Sequence, residues 1–158
     1  MLHRRIWDQD NEHVQASFGP VFYTRTIGVA KPANIRTMVA NFNTFVRESQ
    51  GQIGYILHLG SDSTPPVGDD RSKVSDMFNL NASRLAGLAI VIDAQGFKGA
   101  MIRSTTTMAF SIVRRGYDSN TCEDMIKASS WLGPRVGISQ SEIIAATGET
   151  ASLLLKRS

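Results

Sequence analysis

The spacing of apolar residues along the chain predicts alternating strands and helices. Residues 20–29 (PVFYTRTIGV) alternate apolar and polar side chains, as expected of a strand with one covered face. The mostly apolar runs 53–60 (IGYILHLG) and 87–94 (GLAIVIDA) are short enough to be strands buried in the middle of a sheet. A further short strand is expected at residues 117–119.

Between these strands, apolar residues recur at the helical period. In residues 33–49 they form one stripe, made of Ile35, Met38, Val39, Phe42, Phe45 and Val46. Similar stripes predict helices over residues 69–85 and 97–115. A fourth helix is expected over residues 120–133, where Asn120 and Glu123 have the spacing of a capping box and Gly133 and Pro134 end the pattern. Its predicted inner face consists of Met125, Ile126, Ser129 and Leu132.

The order of these elements predicts an α/β fold, with a mixed, largely parallel sheet of about four to six strands packed with four helices. Residues 1–19 form a lead with room for one short strand pair, and residues 20–136 form the domain. Residues 137–158 are expected to be a helical tail, capped by Ser139 and Glu142, that either packs on the domain or engages a partner. The first strand is followed by no glycine-rich turn of the dinucleotide-binding kind.

Composition narrows the functional classes. The 158 residues suit one domain, and no apolar run approaches the roughly 20 residues of a membrane-spanning helix. With one cysteine, Cys122, and no secretory signal pattern in residues 1–17, we expect a soluble, cytoplasmic protein without membrane insertion. The net charge is +3, but the cations are scattered in short pairs and 8% of residues are aromatic, so nucleic acid is not an expected partner.

Reactive side chains give little reason to expect catalysis. His58, Asp62 and Ser63 are close in sequence, but a nucleophile needs its base within hydrogen-bonding reach, and His58 lies inside a predicted strand. The three histidines are widely separated, so we expect no metal site, and we expect no catalytic residue and no cofactor. Cys122 is expected in the core beside Met125.

Three segments carry a resemblance to a known family: the strand GLAIVID, the helix FKGAMIRSTTTMAFSIVRR and the strand and helix YDSNTCEDMIKASSWL. Over about residues 20–136, the pattern resembles the anti-sigma-factor antagonist fold, the STAS and SpoIIAA-like group. The resemblance implies a bacterial signalling module that is not an enzyme. It also implies that the second helix and the loop before it bind another protein, and that a serine in this loop is a phosphorylation switch.

The stretch HLGSDSTPP, residues 58–66, occupies the position of that switch loop. The resemblance therefore implies a phospho-switch at Ser63 or Thr64. It also implies a docking surface made of Asp62, Ser63, Arg71, Lys73 and Asp76. Pro65 and Pro66 stand where the family has glycine, and the alternative is a solvated loop that only connects two elements.

Two other functions stay open at this stage. A small-ligand or lipid pocket would be lined by the pliable side chains of Phe97, Met101, Met108 and Phe110. Self-assembly into a homo-oligomer would use the tail residues 153–155 together with Trp131.

Overall fold

A computed structural model describes residues 2–29, 31–60, 63, 66, 68–93 and 116–155. The predicted helix over residues 97–115 lies outside these residues, and so do the side chains of the predicted ligand pocket. Asp62 and Thr64 lie outside them as well.

Six strands of the described residues form one mixed sheet in which spatial order follows sequence order. They are β1 (Arg4–Gln9), β2 (His13–Phe18), β3 (Val21–Thr26), β4 (Ile53–Leu59), β5 (Leu85–Ile92) and β6 (Ser119–Cys122). β1, β2 and β3 pair antiparallel, whereas β3, β4, β5 and β6 pair parallel. The predicted α/β fold with a mixed sheet is confirmed, and the strand pair of the lead belongs to this same sheet.

Four α-helices of the described residues pack on the sheet. They are α1 (Pro32–Glu48), α2 (Gly68–Leu80), α3 (Met125–Val136) and α4 (Gln140–Leu155). Pro32 begins α1, where its missing N–H costs no helical hydrogen bond. The second helix was predicted over residues 69–85 but ends at Leu80. The side-chain amide of the next residue, Asn81, donates to the carbonyl of Met77 at 2.8 Å.

Three predictions about α3 were wrong. Its N-cap is Asp124, whose carboxylate accepts from the N–H of Lys127 at 2.8 Å, rather than a capping box of Asn120 and Glu123. The helix also continues through Gly133 and Pro134, and it ends at Gly137, which adopts the left-handed conformation with φ of 72°. Ile126 is 62% exposed instead of buried, because the face that meets the sheet is centred on Ala128 and Leu132.

The sheet separates two apolar cores. α1 and α2 cover one face, where Phe42 is buried as predicted, together with Met77 and Phe78, against strand side chains such as Phe22 and Tyr55. α3 and α4 cover the other face, whose core includes Tyr23, Ile56, Ala89, Val91, Cys122 and Leu132.

The C-terminal tail packs on the domain. The predicted capping box is confirmed, because Ser139 Oγ accepts from the N–H of Glu142 and a Glu142 oxygen accepts from the N–H of Ser139, each at 3.3 Å. The helix that follows, α4, contacts α3 and β2, and it buries Ile143 and Leu154. None of the described helices combines the length and the apolar composition needed to cross a membrane.

Candidate functional site

A polar cluster lies where the parallel strands β3, β4 and β5 end. Tyr23 and Arg25 come from β3, His58 comes from β4, and Asp93 directly follows β5. The strand register places Arg25 beside His58, and His58 beside Val91. Because side chains alternate along a strand, all four polar side chains lie on the sheet face that α3 and α4 cover. The carboxyl ends of parallel strands are where α/β folds commonly build their sites.

The four side chains form a connected set of hydrogen bonds. His58 Nε2 lies 2.9 Å from both carboxylate oxygens of Asp93, and Arg25 Nη1 donates to Asp93 Oδ2 at 2.7 Å. The Tyr23 hydroxyl lies 2.7 Å from His58 Nδ1. A carboxylate only accepts hydrogen bonds, so we assign the neutral tautomer in which Nε2–H donates to Asp93 and Nδ1 accepts from Tyr23. Arg25 Nη1 and His58 Nε2 are 2.6 Å apart because both approach the same carboxylate.

Burial and neighbouring charged groups have opposing effects on the pKa values of this cluster. Burial lowers the pKa of His58, and the neighbouring Arg25 lowers it further, whereas the hydrogen bond to Asp93 raises it. For Asp93, burial alone would raise the pKa, but the hydrogen bonds and charges of His58 and Arg25 together lower it to about 2. Burial also raises the pKa of Tyr23 well above its ordinary value. At neutral pH the cluster therefore contains a carboxylate, a guanidinium, a neutral imidazole and a neutral phenol.

The cluster ties three strands together, and its reactive groups are poorly accessible. Tyr23 is fully buried and His58 is 8% exposed, so both side chains have little of the solvent access that a general acid or base needs. Cys122, the one cysteine of the chain, is in the core as predicted, and burial raises the pKa of its thiol to about 11. A thiol with this pKa is protonated at neutral pH and is a weak nucleophile.

A second buried polar network lies on the opposite sheet face, beneath the start of α1. His13 Nδ1 is 2.9 Å from Thr26 Oγ1, and the side-chain amide of Gln15 donates to His13 Nε2 at 2.9 Å. Asn41 in turn donates to the Gln15 oxygen at 2.9 Å. Burial lowers the pKa of His13, although Asp10 and Asp8 act to raise it. The imidazole therefore stays neutral, with Nδ1 as donor and Nε2 as acceptor.

The predicted switch serine is buried against the sheet. Ser63 is 4% exposed, its hydroxyl donates to the backbone carbonyl of Thr26 at 2.7 Å, and its N–H donates to the carbonyl of Gly60 at 3.1 Å. The hydroxyl is therefore bound to β3 and not to His58, whose carboxylate partner is Asp93. Phosphorylation of Ser63 would require its bond to Thr26 to break, and this role stays a prediction.

Three further predicted docking residues, Arg71, Lys73 and Asp76, lie on α2. Lys73 and Asp76 are exposed, and Lys73 Nζ is 4.0 Å from a carboxylate oxygen of Asp70. Arg71 is half-buried. These side chains are separate from the polar cluster of Tyr23, Arg25, His58 and Asp93.

Sequence reasoning missed Arg25 and Asp93 as partners of His58. One signal was present, since a charged residue stands at the end of the most apolar strand, where Asp93 follows Ile92. A second signal was Arg25 inside a strand whose neighbouring residues are mostly buried. Neither signal shows that these residues contact His58, because Asp93 is 35 residues and Arg25 is 33 residues away from it in the sequence.

Comparisons of the chain with protein-family models, with curated proteins and with solved structures found no match. Within the described ranges, no group of three or more His, Cys, Asp or Glu side chains is arranged to hold a metal ion. The function is therefore inferred from the residues and their geometry.

Acid should destabilise the fold through four groups whose pKa values are lowered on folding: Asp10, His13, His58 and Asp93. Unfolded histidines take up protons below about pH 6.5, while the folded imidazoles resist protonation, so the unfolded state binds more protons. We expect the free energy of unfolding to fall as pH drops below about 6.5, and to fall again below about pH 4 as Asp10 and Asp93 contribute. Urea unfolding midpoints measured across this pH range test the expectation. Midpoints that stay constant or rise between neutral pH and pH 5 would contradict it.

Proposed function

We propose that the chain is a non-enzymatic regulatory module of STAS-like type that binds another protein through α2 and the loop before it. The buried hydroxyl of Ser63 is the observation that carries this proposal. It fastens the loop between β4 and α2 to the end of β3 through its 2.7 Å bond to the Thr26 carbonyl. A chemical change at this one side chain would therefore alter the segment that leads directly into α2.

Phosphorylation at Ser63 would act through both size and charge. A phosphate adds about −1.5 to −2 charges at neutral pH and cannot occupy a site where the serine is 4% exposed. The modified side chain would leave its place against Thr26, and the loop would move with it. Ser63 would then have two states, one bound to the Thr26 carbonyl and one released.

The outer face of α2 has the composition of a docking surface. Lys73, Asp76 and Leu80 are spaced at i, i+3 and i+7, so they lie along one side of the helix, and all three are exposed. Leu80 is 80% exposed, more than any other large apolar side chain of the described residues. An apolar residue with charged neighbours is a common arrangement at protein interfaces.

The remaining features are compatible with a module that performs no chemistry. His58, Tyr23 and Cys122 are buried, and the first two are bound within the polar cluster. The STAS-like type is proposed on the sequence resemblance alone, whose strand segment GLAIVID lies largely in β5. The role in bacterial signalling is proposed together with that resemblance.

The proposal is tested by capturing partners from cells that express the protein natively, using the full chain as bait. We expect one partner, identified by mass spectrometry, to bind the wild type and to bind at least about tenfold more weakly to Leu80→Ser and Asp76→Lys. Ile126→Ser is the matched control, because Ile126 is also an exposed apolar side chain but lies on α3.

A second pair of variants tests the switch. Ser63→Asp should change the affinity for the same partner, whereas Ser130→Asp, at an exposed serine of α3, should change it much less. Sedimentation of the purified chain shows whether the partner is a second copy. If Leu80→Ser and Asp76→Lys bind like the wild type and Ile126→Ser loses binding, the docking surface is not on α2.

A further inference from the structure

An open cleft lies at the amino ends of β5 and β6. The polar cluster lies at the opposite end of the parallel strands, where they finish. The volume of the cleft is about 730 Å³, and its walls include Gln52, Asp118, Ser119, Trp131 and Arg135. Clefts that bind small molecules usually measure about 300–1,000 Å³, so this one has a suitable size.

The Trp131 ring forms part of one wall, where it packs on β5 at Gly87, a residue without a side chain. A Cβ atom on Gly87 would lie 2.9 Å from two carbons of the indole ring, closer than real Cβ contacts occur. The glycine therefore lets the ring of Trp131, from α3, rest directly on β5. The ring is half-buried, and this leaves part of it facing the cleft.

Arg135 is fixed next to this ring. Its guanidinium carbon lies 4.1 Å from the centre of the Trp131 ring, and its Nη1 donates to the Trp131 carbonyl at 2.7 Å. Both contacts are with Trp131 in the same helix, and neither of them involves a carboxylate. A guanidinium has five N–H donors in a planar fork, and those not bound to Trp131 suit a carboxylate or a phosphate group.

Other polar groups line the same cleft. Asp118 and Ser119 are exposed at the start of β6, and the Asp118 carbonyl accepts from the N–H of Leu88 at 2.9 Å, which fixes the backbone there. The carboxylate of Asp118 accepts hydrogen bonds, and the hydroxyl of Ser119 both accepts and donates. These groups suit a hydroxyl or an amino group on a ligand. The Gln52 amide already donates to the Ser83 carbonyl at 3.0 Å, so it serves as part of the wall.

We propose that this cleft binds a small organic oxyanion, a carboxylate or a phosphate ester, that also carries a hydroxyl or an amino group. Arg135 binds the oxyanion, Asp118 and Ser119 bind the hydroxyl or amino group, and the Trp131 ring contacts the carbon skeleton. This site is separate from the surface of α2 and does not depend on the function proposed for it.

The fluorescence of Trp131 provides the test. The chain has two tryptophans, so Trp7→Phe leaves Trp131 as the reporter. The probes are glycerol 3-phosphate for the phosphate class, L-serine for the carboxylate class, and glycerol, which has hydroxyls but no oxyanion. We expect a saturable change with glycerol 3-phosphate or L-serine at millimolar concentrations and none with glycerol. Which of the two oxyanions binds more tightly identifies the ligand class.

Variants assign the binding to the named residues. Arg135→Gln should weaken binding about tenfold or more, since it removes the charge-assisted hydrogen bonds to the oxyanion. Isothermal titration is used for this variant, because removing the arginine alters the fluorescence of Trp131 itself. Arg135→Lys should bind with intermediate affinity, and Asp118→Asn should also weaken binding. Arg47→Gln, at the exposed end of α1, is the matched control and should bind like the parent.

Two results would overturn the proposal. One is the absence of a saturable response to both oxyanion probes. The other is equal binding by Arg135→Gln and the parent, with circular dichroism showing that both are folded. If Arg135→Gln does not fold, equal affinity of Arg135→Lys, Asp118→Asn and the parent would also overturn the proposal.

Discussion

Replacing Phe42 by alanine is expected to lower the free energy of unfolding by about 3–5 kcal/mol. Phe42 is fully buried between α1 and the sheet, and its ring centre lies 5.0–6.4 Å from those of Phe22, Phe45, Tyr55 and Phe78. Truncation leaves a cavity among rings that cannot all move inward, because each is held by its own helix or strand. Urea titration monitored by circular dichroism measures the loss.

Leu80→Ala is the control for this prediction. It shortens an apolar side chain on the neighbouring helix that is 80% exposed, so its free energy of unfolding should stay within about 0.5 kcal/mol of the wild type. A loss below about 1 kcal/mol for Phe42→Ala would show that the aromatic core does not depend on this ring as its contacts indicate.

Asp93→Ala is expected to destabilise the fold by about 2 kcal/mol. The substitution leaves Arg25, whose side chain is 13% exposed, without its carboxylate, and it removes the acceptor of His58 Nε2–H. Breaking a fully buried ion pair costs about 3–5 kcal/mol, but the Asp93 side chain is 39% exposed, so water entering the site lowers the cost.

Two further variants refine the prediction for Asp93. Asp93→Asn keeps an oxygen acceptor and removes the charge, so it should lose less stability than Asp93→Ala. Asp76→Ala, at an exposed carboxylate of α2, is the control and should stay within about 0.5 kcal/mol of the wild type. Chemical denaturation of all three variants at neutral pH is the measurement. An Asp93→Ala variant as stable as Asp76→Ala would mean that the cluster contributes nothing to the fold.

Most elements of the fold follow from local pattern. The helical stripe over residues 33–49 predicted α1 to within one residue at each end, and the apolar run that begins at Ile53 predicted β4. The pair Ser139 and Glu142 predicted the start of α4. These features were readable because hydrophobic periodicity and capping depend on residues at most a few positions apart.

The ends and the orientation of α3 depend on its surroundings. Gly133 and Pro134 usually stop a helix, but here the last turn continues to Gly137, where the chain enters α4 and packs Ile138 and Ile143 into the core. Ile126 lies six positions before Leu132, which is about 120° around the helix, so burying Leu132 leaves Ile126 outside. The apolar stripe predicted from the sequence contained both residues, and packing against the sheet determined that Leu132 is the buried one.

The chemistry of the candidate sites comes from contacts between distant segments. Arg25 and Asp93 are 68 residues apart and meet only because β3, β4 and β5 pair in one parallel register, and the cleft around Arg135 likewise joins the starts of two strands to α3. A shift of one residue in that register would turn His58 to the opposite face of the sheet. Local periodicity states which residues form strands and helices, but not which strands are neighbours or in what register. Most of the described elements could therefore be predicted from the sequence, whereas the partners of His58 and Ser63 were set by the packing of the whole sheet.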